Sequence, residues 1–129
     1  MKQSASLITL AALALLVSAS AYAARVTLAR GEQLTKARPE LLQQGWKPRK
    51  IERYAPSKTM DAFRNAGYLE TEQCANDDYL CVLDYVNAQG ACLRVVVNYN
   101  TLEPLRPWVT SWTFECPNPE ILKAPAAQT

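Results

Sequence analysis

The sequence predicts an α+β fold: an antiparallel sheet of four to five strands with two short helices on one face, tied by two disulfides. Three observations carry that prediction. Two runs rich in β-branched and aromatic residues, Tyr79 to Val86 and Ala91 to Tyr99, flank the turn sequence Asn87-Ala88-Gln89-Gly90. Two earlier runs share the order helix, glycine, aromatic, strand. Four cysteines fall within or beside the strands of the second half.

Taken in chain order, Lys2, the uncharged apolar stretch Leu7 to Val17 and the small-x-small site Ala21-Tyr22-Ala23 read as a secretory signal peptide over residues 1–23. The apolar stretch is too short for the roughly 20 residues that span a bilayer. Cleavage after Ala23 would leave 106 residues. They form one expected domain over 24–116, then a Pro-rich tail over 117–129 whose Pro117, Pro119 and Pro125 argue for loose attachment. The expected location is the periplasm or the medium, an oxidising space with no transmembrane segment in the working protein.

Val26 to Ala29 alternates weakly and predicts a short strand. Arg38 to Gly45 predicts a helix with Pro39 in its first turn, Glu40 at the positive end and Gly45 as the residue after its end. Lys47 to Tyr54 then reads as extended. Ser57 is placed to cap a second helix over Lys58 to Ala66, which Gly67 and Tyr68 leave as Gly45 and Trp46 leave the first. Leu69 to Cys74 and Trp108 to Cys116 are the remaining strands.

If Gly90 forms a bulge after a type I turn, Asn87 faces Ala91. Tyr85 then pairs with Leu93, Leu83 with Val95, Cys81 with Val97 and Tyr79 with Tyr99, while Asp84 lies opposite Arg94 on the other face. This register puts Cys81 and Cys92 on opposite faces. Of three connectivities it therefore leaves two, and Cys74–Cys81 with Cys92–Cys116 is preferred because it staples a short turn and two neighbouring strands. Pairing Tyr99 with Val109 would place Cys92 opposite Cys116, but it puts Trp112 and Phe114 on the face of Arg94 and Asn98. A zinc site on these cysteines is disfavoured by the missing C-x-x-C knuckle.

The run Leu42-x-x-Gly45-Trp46-x-Pro48, followed by Gly67-Tyr68 before Cys74 and by Cys81-x-x-x-Tyr85, resembles a pattern in small exported proteins of proteobacteria. The resemblance covers most of the chain beyond residue 23 and implies no activity.

The chain has no histidine, which removes the commonest general base and metal ligand. Its 4 glycines are too few and too scattered for a phosphate-cradling loop. Asp77-Asp78, with Glu70, Glu72 and Asp84 nearby, is the one carboxylate cluster. It reads first as a solvated turn, with cation binding and glycoside hydrolysis as alternatives. No catalytic residue, metal or cofactor is expected.

Arg25 to Arg64 carries a net charge of +6 and Asn65 to Thr129 −5, so a two-faced surface is expected unless the fold interleaves the halves. The densest basic run is Lys47-Pro48-Arg49-Lys50-Ile51-Glu52-Arg53. On a strand, Lys47, Arg49, Ile51 and Arg53 would share one side. Lys47, Arg49, Lys50 and Arg53, with Trp108 as the aromatic expected to be exposed, are the candidate binding residues. Trp46 and Trp112 are expected in the core. The predicted function is an exported, non-enzymatic protein-binding module, of the kind represented by immunity and inhibitor proteins acting on a toxin or hydrolase. The alternative is an envelope-associated module gripping anionic lipid or polysaccharide through the same basic strand. Nucleic acid is not an expected partner.

Overall fold

The computed structural model describes residues 24–116. The expected signal peptide and tail lie outside the described residues.

The elements are α1 (Leu34–Gln43), β1 (Lys47–Pro48), α2 (Lys58–Asn65), β2 (Thr71–Ala75), β3 (Leu80–Val86), β4 (Cys92–Asn98) and β5 (Trp108–Thr113), with a 3-10 turn at Asn76–Asp78. All five strands form one antiparallel sheet, giving the α+β class the sequence predicts. β3 and β4 are central, β5 flanks β4, and β1 and β2 lie end to end along the other side of β3.

The odd positions of β3 and β4 explain the core. Cys81, Leu83, Tyr85, Leu93, Val95 and Val97 are fully buried and pack with Leu34, Ala37 and Leu41 of α1 and Phe63 of α2. Period-two alternation on the strands thus meets spacings of three and four on α1.

The central hairpin has the predicted register throughout, from Val86 opposite Cys92 to Leu80 opposite Asn98. Its turn is held by Asn87, whose Oδ1 accepts from the amides of Gln89 and Ala91, and by Gly90 at φ 87. The disulfides are Cys74–Cys81 and Cys92–Cys116. Both helices end in the same 6→1 bond: the Trp46 amide donates to Leu41 O and the Tyr68 amide to Phe63 O, each at 3.0 Å. The glycine between takes the left-handed backbone, and the aromatic folds back into the core.

Three expectations are corrected. α1 begins at Leu34 rather than Arg38, so Pro39 sits inside it and removes one helical hydrogen bond. The helix starts early because its N-terminus is tied to β5: the Leu34 amide donates to Pro107 O, and Gly31 and Glu32 exchange bonds with Val109. Val26 to Ala29 forms no strand. The Gln44 side chain takes the place of a neighbouring strand there, accepting from the Thr27 amide and donating to Thr27 O.

The third correction is the register of β5. Val97 rather than Tyr99 faces Val109, and a bulge at Thr110 then brings Trp112 opposite Val95. The Thr110 hydroxyl donates to Val96 O at 3.1 Å. That one extra residue turns Trp112 onto the core face and sets Phe114 beside Trp46, ring centroids 6.1 Å apart. The clash of faces that an unbroken register produces is thereby removed.

Candidate functional site

The basic segment leaves Trp46, which the α1 exit buries, and crosses the outer side of β3. Only Lys47 and Pro48 pair as strand, opposite Val86 and Tyr85; the Arg49 amide then donates to Asp84 O and the Ile51 amide to Leu69 O. Ile51 is buried at 2% exposure, so the expected row of cations on its side is interrupted. Lys47, Lys50 and Arg53 are exposed, whereas Arg49 is partly buried and its charge acts on Asp84.

Trp108 does not join them. It is partly buried, and it stands level with Asn98 and Leu80, at the far edge and opposite end of the sheet from Lys47. Three strand spacings and six residues along a strand put the two roughly 24 Å apart. The expected single surface is two surfaces. Phe114, just beyond β5, is 40% exposed and lies against Trp46 rather than with Trp108. Its position depends on the Thr110 bulge, which no local sequence pattern reveals.

No family model, curated protein or solved structure matches the chain. Its function is therefore argued from its own surfaces and charges.

The carboxylates separate into three environments. Asp77 and Asp78 are exposed in the 3-10 turn between β2 and β3, as a solvated turn requires. Glu70 is fully buried at the helix side of the sheet. It accepts from Arg38 Nε at 2.6 Å, Arg38 Nη2 at 3.0 Å and the Tyr85 hydroxyl at 2.6 Å. Arg38 also lies over the Tyr68 ring, 5.5 Å from its centroid, so this guanidinium joins α1 to the exit of α2. The hydrogen bonds it donates to Glu70 hold Arg38 firmly in its charged form, and burial, with Glu70 beside it, pushes the Tyr85 phenol well above its ordinary value.

On the opposite face, Glu72 sits at a bulge in β2 and accepts from Arg94 Nη2 at 2.7 and 2.9 Å. Asp84 beside it is fully buried, yet neither oxygen accepts a hydrogen bond from an N–H donor; Arg94 Nε stands 3.7 Å away, and the Asp84 carboxyl shares a hydrogen bond with Glu72. Burial first, and Glu72 second, push the Asp84 carboxyl up from 3.8 to about 8, against the opposing charges of Arg94 and Arg49. Among the described residues, no group of three or more carboxylates or cysteines could hold a metal ion. No described helix is long and apolar enough to cross a membrane.

Charge segregation also changes. Three acids of the second half, Glu70, Glu72 and Asp84, are buried. Glu70 is matched by Arg38 from the basic half, so the fold interleaves part of the two segments.

Proposed function

We propose that this protein is an exported, non-enzymatic module that binds an acidic protein partner through Lys47, Lys50 and Arg53, acting as an inhibitor or immunity protein. The observation that carries this reading is the exposure of these three cations along one short segment that runs beside β3. Charges of one sign grouped in this way steer and orient a partner of opposite sign.

The residue chemistry supports binding over catalysis. Ser57 is used as a helix cap, its Oγ accepting from the Met60 amide, and Glu70 and Glu72 are engaged by Arg38 and Arg94. The two disulfides fit an oxidising compartment.

The test is reversal of charge at Lys47, Lys50 and Arg53 together, leaving Arg49 in place because its charge bears on Asp84. A stoichiometric protein partner captured from extract by the unaltered chain, and lost on reversal, is the expected result. Retention only by vesicles of anionic lipid or by anionic polysaccharide, released by salt, would favour the envelope-associated alternative. Capture that survives reversal unchanged would end both readings of this segment.

A further inference from the structure

At the opposite end of the sheet, three adjoining hollows of about 390, 370 and 400 Å³ surround Asn100. Tyr79 and Tyr99 line the first two, and Trp108 lines the last two. The size of each suits a small-molecule or single-residue subsite, and their adjacency makes a trough.

Tyr79 forms its most prominent wall. It is the one described residue other than glycine with a positive φ, 52°, and it is 57% exposed. That backbone is disfavoured for a side chain with a Cβ. It is held in place by the Tyr99 amide, which donates to Tyr79 O at 3.1 Å, and by an edge-on contact between the two rings at 5.7 Å. The effect is to stand a phenol ring upright at the rim. Across the trough, Thr101 Oγ1 donates to Pro104 O at 2.7 Å and Leu102 bridges Leu105, which closes the 100–107 loop on itself.

The lining chemistry selects a ligand. Asn98 and Asn100 carry amides that both donate and accept, as a sugar hydroxyl does, and Thr101 Oγ1, its proton given to Pro104 O, can still accept, while the Tyr79 and Trp108 rings offer apolar faces that suit the C–H face of a pyranose. The charges present, Lys58, Asp78 and Arg106, fall in three different hollows and sum to only +1, unlike the row of cations that a polyanion requires. One carboxylate, Asp78, reaches the trough, whereas glycoside hydrolysis uses a pair about 5 to 9.5 Å apart.

We propose that the trough between Tyr79, Asn100 and Trp108 binds a segment of neutral polysaccharide, without cleaving it. The site is independent of the basic segment.

The test is an NMR titration of the protein purified after expression of the full chain, using tetra-N-acetylchitotetraose, maltotetraose and a heparin tetrasaccharide in parallel. The expected result is movement of the Trp108 indole and the 98–101 amides with one or both neutral oligosaccharides. Tyr79→Gly removes the ring while accepting the positive φ, so its hairpin signals should persist; its affinity should fall by about tenfold or more. Asn100→Ala, on an exposed loop, should weaken binding in the same direction. No movement of these signals with either neutral sugar, binding confined to heparin, or undiminished affinity in a folded Tyr79→Gly protein would each overturn the proposal.

Discussion

Two buried carboxylates flank the same stretch of β3, each beside an arginine, and they differ in what reaches their oxygens. Glu70 on the helix side receives three hydrogen bonds from Arg38 and Tyr85. Asp84 on the other side receives none, because Arg94 turns its Nη2 to Glu72 and leaves its Nε 3.7 Å short. An arginine nearby is therefore not enough to keep a buried acid ionised. Directed donors stabilise Glu70 as an ion, whereas Asp84 meets its burial by holding a proton.

The largest effect separating the two should come from Arg38→Met. It strands Glu70 without a cation and should cost about 3 kcal/mol or more in urea unfolding at neutral pH. A loss under about 1 kcal/mol would mean that the Arg38–Glu70 pair contributes no more than an exposed ion pair does. Tyr85→Phe removes one of three donors to the same carboxylate and should cost about 1 to 2 kcal/mol. Its effect should nearly vanish in the Arg38→Met background if the three groups act as one unit, which a double-mutant cycle reads directly.

On the other face, Arg94→Met should cost less than Arg38→Met, about 2 kcal/mol at mildly acid pH, because the protonated Asp84 carboxyl still hydrogen-bonds the Glu72 left behind. The smallest effect at that pH belongs to Asp84→Asn, the isostere of a carboxyl that already carries its proton. Its signature is a slope. Folded Asp84 keeps its proton up to about 8 while the unfolded group releases it near 3.8, so the folded state holds more protons between these values. Stability should fall as pH rises from about 4 to about 8, and Asp84→Asn should flatten that fall in denaturation midpoints measured across the range. Parallel slopes in the two proteins would show that Asp84 stays ionised.

What the sequence made legible follows the same division between local and distant causes. The β3–β4 hairpin could be read because its turn residues and alternation lie within twenty-one positions, Tyr79 to Tyr99, and its register removes one of the three disulfide connectivities, leaving the observed pair among the two that remain. The helix exits were legible as well, since glycine and the following aromatic are adjacent. α1's start was not, because the bonds that set it come from Pro107 and Val109, more than seventy residues on. The acids near β3 were noticed as a group, but their partition into solvated, paired and protonated members depends on Arg38, Tyr85 and Arg94 arriving from three separate elements. The place of Phe114 against Trp46 was hidden for a related reason: a single bulge at Thr110 decides which way it points. Trp108 and the basic run were each recognisable, and only the strand order shows that they face different neighbourhoods.

The backbone bonds that tie residues 31–34 to β5 have a consequence for how this molecule meets others. They occupy hydrogen-bonding groups along one margin of the sheet, while the other margin is broken into a two-residue piece and a five-residue piece bulged at Glu72. Neither margin, among the described residues, offers a long even row of amides and carbonyls onto which a foreign strand could be added. Whatever docks here must therefore read side chains, and the chain is poorly suited to templating fibrils from its own edges.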